Sequence, residues 1–200
     1  MAAALALVAV AVLSAIAIVE PGLAARLTVE NGVVESLQVL LDVGAALLFG
    51  REMVRHARDT GRLSPLDLAI VACLVGWIIG EVDLDRLLFG TKIIWTRFFV
   101  DGRVAIPWRL LAALVVVGVP AVISVFVVAR VRAFWHEGWA ALSEPWGRVL
   151  AASVAVAVLT EIFERQLGHV PGVPPFFLEE LFELVAAIGF FVAAAARRPA

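Results

Sequence analysis

The chain has 200 residues, of which 62% are hydrophobic, and its formal net charge at pH 7 is −2. Soluble domains contain roughly 45–50% apolar residues, so the composition excludes an ordinary soluble domain and indicates an integral membrane protein. The near-neutral charge excludes the basic surface by which proteins bind nucleic acid. Cys73 is the single cysteine, which excludes an internal disulfide and a cysteine-based metal cluster. The length suits one transmembrane domain over residues 1–200.

Apolar segments of bilayer-spanning length recur along the chain. They cover residues 2–19, 32–50, 65–82, 108–129, 148–164 and 176–196. The sequence therefore predicts an all-α fold, a polytopic integral membrane helical bundle of about six transmembrane helices. The segment VAVAVLS at 8–14 resembles VAVAVLT at 154–160. We therefore also expect the first two and the last two spans to be related helical hairpins.

Two of the connections combine aromatic and basic residues in the pattern of segments that lie at a membrane surface. Residues 87–107 contain Trp95 among lysine and arginine, and we expect them to form an outer interfacial segment or to fold over the mouth of the bundle. Residues 130–147 contain Trp135 and Trp139, and they are predicted to form an aromatic interfacial segment on the cytoplasmic side.

The arginine residues predict the orientation of the spans. They cluster after the second span, after the fourth span and at the C-terminal end, namely Arg51, Arg55, Arg58, Arg62, Arg130, Arg132, Arg148, Arg197 and Arg198. Because short cytoplasmic connections carry an excess of basic residues, we expect both termini to be cytoplasmic. The alanine-, valine- and arginine-rich composition is typical of GC-rich bacterial genomes, so the expected location is the bacterial cytoplasmic membrane.

Four polar residues, Asn31, Glu35, Gln38 and Asp42, interrupt the apolar second span. They recur at every third or fourth position, so at about 100° per residue they share one narrow stripe of a helix. Asp42 lies about 16 Å deeper than Asn31 along the helix axis, near the middle of the hydrocarbon layer. Interhelical hydrogen bonds in membranes contribute only about 0.6 kcal/mol on average, which is a weak reason for placing two carboxyl groups there. The stripe is therefore the first candidate for a functional site.

Further candidates for this site lie near the outer ends of other spans. The candidate ion- or proton-binding residues are Glu81, Glu161, Glu164 and Glu183, and the candidate charge partners are Arg86 and Arg165. Several carboxylates that share a site of low dielectric cannot all ionise, so protons, a cation or arginine must neutralise them. We expect Glu179 and Glu180 to meet water and to complement the positive end of their helix. Gly76 and Gly80 predict close packing of the third span against another helix.

The leading hypothesis is a transporter or channel-like protein in which protons or cations enter an outward-facing cavity between the second, third, fifth and sixth spans. In this hypothesis Asp42 and Glu35 bind or relay the ion next to Gln38, and Glu81 and Glu183 line the entrance. A hard cation suits this all-oxygen set, although the sequence does not identify a particular metal. No predicted span contains histidine, so we expect no haem, and the sequence indicates no other cofactor.

Two alternatives remain open. In the first, a membrane-embedded enzyme acts on lipid-like substrates with paired carboxyl groups as general acid and base. The sequence shows no nucleophile or metal set for this enzyme, and no catalytic residue is predicted. In the second, a non-catalytic subunit of a membrane complex uses the polar stripe to dock a partner. The expected partners are therefore the lipid bilayer and either a second copy or another membrane protein, and not nucleic acid.

Overall fold

The computed structural model describes residues 2–28, 32–82, 105–167 and 176–197. Within those ranges the chain is all-helical, which confirms the all-α part of the predicted fold class. The helices are α1 (Ala2–Val19), α2 (Pro21–Leu27), α3 (Val33–Thr60), α4 (Pro65–Glu81), α5 (Ile106–Ala113), α6 (Val119–Ala129), α7 (Val131–Ser143), α8 (Pro145–Leu167) and α9 (Phe177–Ala196). A π-helical turn, Leu114–Gly118, joins α5 to α6. Most of the predicted outer interfacial segment 87–107 lies outside the described residues.

Each predicted apolar segment contains a helix. The observed helix ends differ from the predicted ones where residues that continue or stop a helix lie beyond the ends of the apolar segment. α3 continues to Thr60 because the charged residues after its apolar part still favour a helix. It ends before Gly61, whose φ of +66° is accessible to glycine with little strain. α8 begins at Pro145, since proline at the first helical position sacrifices no backbone hydrogen bond. The connections at α2 and α7 are themselves helical.

Three helical stretches in the described part of the chain are long and apolar enough to cross a bilayer. They are Val33–Thr60, Ile106–Ala129 and Pro145–Ile162. The second of these contains the π-helical turn, in which the Val119 backbone N–H bonds to the carbonyl oxygen of Leu114. Pro120 has no N–H for the α-helical pattern, and the widened turn accommodates it without ending the helix. The chain thus has helices of the length and composition that membrane proteins use.

The described structure forms two compact units, Met1–Glu52 with Gly138–Ala200, and Met53–Glu137. In the first unit an apolar core joins α1, α2, α3 and the start of α9. Its buried members are Leu13, Ala24, Val34, Phe177, Leu181 and Leu184. Van der Waals packing of these side chains holds the four helices together at this end of the unit.

α3 and α9 lie side by side and run in the same direction. Gln38 of α3 contacts Glu180 near the start of α9. Phe49, three turns further along α3, contacts Arg197 just after the end of α9. Because residue numbers increase together along both helices, the two helices are parallel neighbours over this length.

α8 and α9 are antiparallel neighbours that approach through small side chains. The described buried residues of α8 include Ser153, Ala157 and Thr160, which lie on one stripe. Gly189 of α9 lies directly against Ser153, so a Cβ at this glycine would overlap the serine hydroxyl. The hydroxyls of Ser153 and Thr160 each donate a hydrogen bond of 2.9 Å to a carbonyl oxygen of the preceding helical turn. The contact therefore consists of small side chains whose polar groups are satisfied within their own helix.

In the second unit, the connection between α3 and α4 is bonded to α7. Ser64 caps α4 by accepting a hydrogen bond of 3.0 Å from the backbone N–H of Asp67. Glu137 of α7 accepts hydrogen bonds from the Ser64 hydroxyl at 2.7 Å and from the Leu66 backbone N–H at 3.1 Å. These bonds bring together two connections that the arginine pattern places on the same side of a membrane.

Gly147→Ala is predicted to destabilise the first unit. A Cβ at Gly147 would overlap the backbone carbonyl group of Ala141, and neither backbone can move without displacing the junction between α7 and α8. We expect the free energy of unfolding in detergent micelles to fall by about 1–3 kcal/mol. Gly138→Ala is the matched control, because a Cβ there meets no described atom within 4 Å, and we expect its stability to stay equal or rise. Equal denaturation midpoints for the two variants would show that the junction is not tightly packed.

Candidate functional site

The polar stripe of α3 faces protein. The buried residues of α3 recur at every third or fourth position and are Val34, Gln38, Asp42, Ala45 and Phe49. Gln38 is 2% exposed and Asp42 is 1% exposed, which agrees with the predicted stripe. Glu35 is half-buried, and Asn31 lies outside the described residues. The two deepest polar residues of the stripe are thus shielded by neighbouring helices.

Gln38 connects α3 to α9. Its Nε2 donates a hydrogen bond of 2.8 Å to the backbone carbonyl oxygen of Glu180. Its Oε1 is buried and has no hydrogen-bond partner among the described residues. The amide therefore retains one available acceptor, one helical turn from Asp42 on the same face.

The carboxyl group of Asp42 lies deeper in the same contact. Its Oδ1 is buried and accepts no hydrogen bond from the described part of the chain. An ionised carboxylate can only accept hydrogen bonds, and the backbone N–H groups in the middle of a helix are already bonded to carbonyl oxygens. A carboxyl group in such surroundings requires a proton, a cation or an external donor to offset its loss of hydration.

Glu180 is buried, with 8% of its surface exposed, so the expectation that it meets water is wrong. The reason is that the first turn of α9 packs against α3, where Gln38 bonds to the Glu180 carbonyl oxygen. Glu179 is half-buried and its Oε2 is shielded from solvent. Both glutamates interact with other groups of the protein. In the sequence, a glutamate at the start of a helix predicts a side chain exposed to solvent. The burial of Glu180 depends on the contact of α9 with α3, which the sequence does not show.

The remaining predicted acids differ in burial and belong to different units of the described structure. Glu183 of α9 is half-buried, and Glu161 of α8 is exposed. Glu81, at the end of α4, is half-buried in the second unit. Three predicted residues have side chains outside the described part of the structure, namely Glu164, Arg165 and Arg86. Within the described ranges, no three acidic, histidine or cysteine side chains lie close enough together to hold a metal ion.

Close helix contacts occur at glycines other than those singled out from the sequence. A Cβ at Gly76 or at Gly80 meets no described atom within 4 Å. In contrast, a Cβ at Gly44 of α3 would lie 2.9 Å from Cε2 of Phe191, and Gly189 supports the contact between α8 and α9. Gly44 lies about 200° from Asp42 around α3, so the contact with Phe191 is on the flank of the helix and not on the polar stripe.

Arg197, one of the basic residues that predict a cytoplasmic C-terminus, joins three helices. Its Cζ lies 4.8 Å from the ring centroid of Trp146 in α8 and 5.8 Å from that of Phe49 in α3. The two rings are 6.1 Å apart and inclined at 57°. Cation–π attraction at these distances ties the end of α9 to the other two helices. In the sequence, the feature that points to this contact is Phe49, which continues the stripe of Gln38 and Asp42.

Comparison of the chain with protein-family models, curated proteins and solved structures finds no match. Functional candidates are therefore found among the residues of this chain, by their chemistry and geometry. Among them, the buried amide and carboxyl group of α3 are the candidates with the strongest need for a ligand.

Asp42→Asn is predicted to retain the stability of the protein or to raise it by about 1 kcal/mol. The amide is uncharged and nearly the same size, and the described structure has no hydrogen bond to Oδ1 that the substitution would lose. The measurement is the free energy of unfolding in detergent micelles. Gln38→Ala is the comparison, since it removes the hydrogen bond to Glu180 and should destabilise by about 1–2 kcal/mol. A loss in Asp42→Asn as large as that in Gln38→Ala would indicate a structural role for the carboxyl group.

Proposed function

We propose that this chain is a small integral membrane protein that moves protons or small cations across the bilayer, with Asp42 as the group that binds the ion. The observation that carries the proposal is the Asp42 carboxyl group, which is 1% exposed and has a buried oxygen without a described partner. Ionisable residues inside membranes are costly, and proton relays and ion pathways are their established uses. A bound proton or cation would remove the cost of burying the charge.

The second oxygen of the proposed site comes from Gln38. Its Oε1 is available as an acceptor one turn from Asp42, while its Nε2 is held by α9. α3 and α9 meet on both sides of Asp42, through Gln38 and through Phe49. Passage of an ion therefore requires these helices to separate or water to enter between them. Glu35 and Glu183, both half-buried, are the proposed groups at the entrance.

We also propose a six-span arrangement with both termini in the cytoplasm of a bacterial cell. Its support is that each predicted apolar segment contains a helix. The hydrogen bonds from Ser64 and Leu66 to Glu137 give independent support, because they join two arginine-rich connections at one end of the second unit. In this arrangement Glu20, between α1 and α2, lies on the outer side.

The proposed transport is tested by ion flux in proteoliposomes that contain the purified full-length chain. A pH gradient tests protons, and separate sodium and potassium gradients test the cations. We expect one gradient to drive flux above that of empty liposomes, and Asp42→Asn to reduce this flux to the empty-liposome level. The physical reason is that the amide cannot take up a proton or supply the negative charge that a cation needs.

Two matched variants separate this effect from a general loss of charge. Asp59→Asn alters an aspartate in the same helix that is exposed and lies 3.8 Å from Arg55 Nε. Glu161→Gln alters an exposed glutamate of α8. Both should retain flux. Absence of flux in the unmodified protein with every gradient, or undiminished flux in Asp42→Asn, would refute the proposed function.

The proposed orientation is tested by thiol labelling in a Cys73→Ser background. Cysteine is introduced in turn at three exposed positions, as Glu20→Cys, Arg58→Cys and Arg132→Cys. We expect a membrane-impermeant maleimide added to spheroplasts to label only Glu20→Cys, and to label all three after the membrane is permeabilised. Labelling of Glu20→Cys and Arg58→Cys from the same side would exclude the proposed crossing of the bilayer by α3.

A further inference from the structure

A cleft of about 570 Å³ lies in the second unit, where the connection between α3 and α4 meets the junction of α6 and α7. Its lining mixes apolar, hydroxyl and charged side chains, and three of its four titratable residues are basic. The lining residues are His56, Thr60, Arg62, Leu63, Ser64, Pro65, Arg130, Ala133 and Glu137. The volume lies within the range of small-molecule sites, which is roughly 300–1,000 Å³. The cleft is therefore large enough for a phosphate group, either free or carried by a larger molecule.

Hydrogen bonds hold the walls of this cleft in place. Arg130 donates from Nη1 to the carbonyl oxygen of Leu63 at 3.2 Å, and its guanidinium lies 4.5 Å from the ring centroid of Phe126. On the other wall, Glu137 Oε2 is occupied by hydrogen bonds from Ser64 and from the α4 backbone. The acidic residue of the cleft is thus bound to the protein, and the site does not have to be assembled when a ligand enters.

The basic groups of the cleft retain hydrogen-bond donors. In the described structure, the side chains of Arg62 and His56 make no hydrogen bond or ion pair. Arg130 uses only Nη1 for hydrogen bonding, so its other donors are available. Two guanidinium groups and an imidazole therefore share a cleft with one carboxylate, Glu137, and the lining favours an anion.

We propose that this cleft binds a phosphate group, either on an anionic lipid or free in solution, through Arg62, Arg130 and His56. Guanidinium groups match the geometry of phosphate oxygens and bind them through paired hydrogen bonds. The cleft lies at the ends of two helical stretches long enough to cross a bilayer, Val33–Thr60 and Ile106–Ala129. In the proposed six-span arrangement, it therefore lies at the depth of lipid headgroups. The site is separate from Asp42 and does not depend on the proposed transport.

The test uses the purified full-length chain in two arms. In the lipid arm, native mass spectrometry measures retention of phosphatidic acid against phosphatidylcholine after release from mixed micelles. In the soluble arm, isothermal titration calorimetry in a lipid-free maltoside detergent measures binding of inorganic phosphate. We expect binding in at least one arm, and its weakening by about tenfold or more in a His56→Gln, Arg62→Gln double variant, since each lost charged hydrogen bond is worth about that factor.

Arg58→Gln is the matched control, because this exposed arginine lies on the same helix and does not line the cleft. It should bind as the unmodified protein does. Binding in the lipid arm alone identifies a site for a lipid headgroup. Binding in the soluble arm identifies a site for free phosphate. Both outcomes support the proposal. No binding in either arm, or the same loss in Arg58→Gln as in the double variant, would overturn it. Unchanged denaturation midpoints for the variants exclude unfolding as the cause.

Discussion

The free-energy cost of burying the carboxyl group of Asp42 is the constraint that organises the first unit. α3 contacts α9 on both sides of this group, through Gln38 and through Phe49, so the carboxyl group faces protein rather than lipid. In hydrocarbon an ionised carboxylate without a partner would cost several kcal/mol or more. The packing that covers this face of α3 therefore determines whether the chain can tolerate an aspartate at this position.

The helices of this protein could largely be predicted from its sequence, because long apolar segments have few structural alternatives in a membrane. Hydropathy reports the apolar part of a helix and not its full length. It missed the last turns of α3, where charged residues continue the helix to Thr60, and it missed the helical connections α2 and α7. Those ends depend on local chemistry, such as the left-handed Gly61 after α3.

The site was predictable only where a single helix determines it. The spacing of Gln38 and Asp42 sufficed to predict their shared face, because helical periodicity is a property of the local chain. The burial of Glu180 and the close approach at Gly189 required knowledge of which helices pair. Glycines suited to close packing also occur in α4, and nothing in one sequence distinguishes those that meet a neighbour. The contact between Ser64 and Glu137 likewise joins residues far apart in the chain.

The contacts of α9 with α8 and with α3 differ in what their polar groups require. Ser153 and Thr160, facing α9 from α8, donate to carbonyl oxygens of their own helix and are satisfied without a ligand. Asp42, facing α9 from α3, cannot be satisfied in this way, because its helix offers carbonyl acceptors and a carboxylate is itself an acceptor. A hydroxyl group in a helix contact can therefore serve helix packing alone and needs no ligand. A carboxyl group there needs a proton, a cation or an external donor, and this chemical difference is the reason we propose ion binding at α3 rather than at the more tightly packed α8.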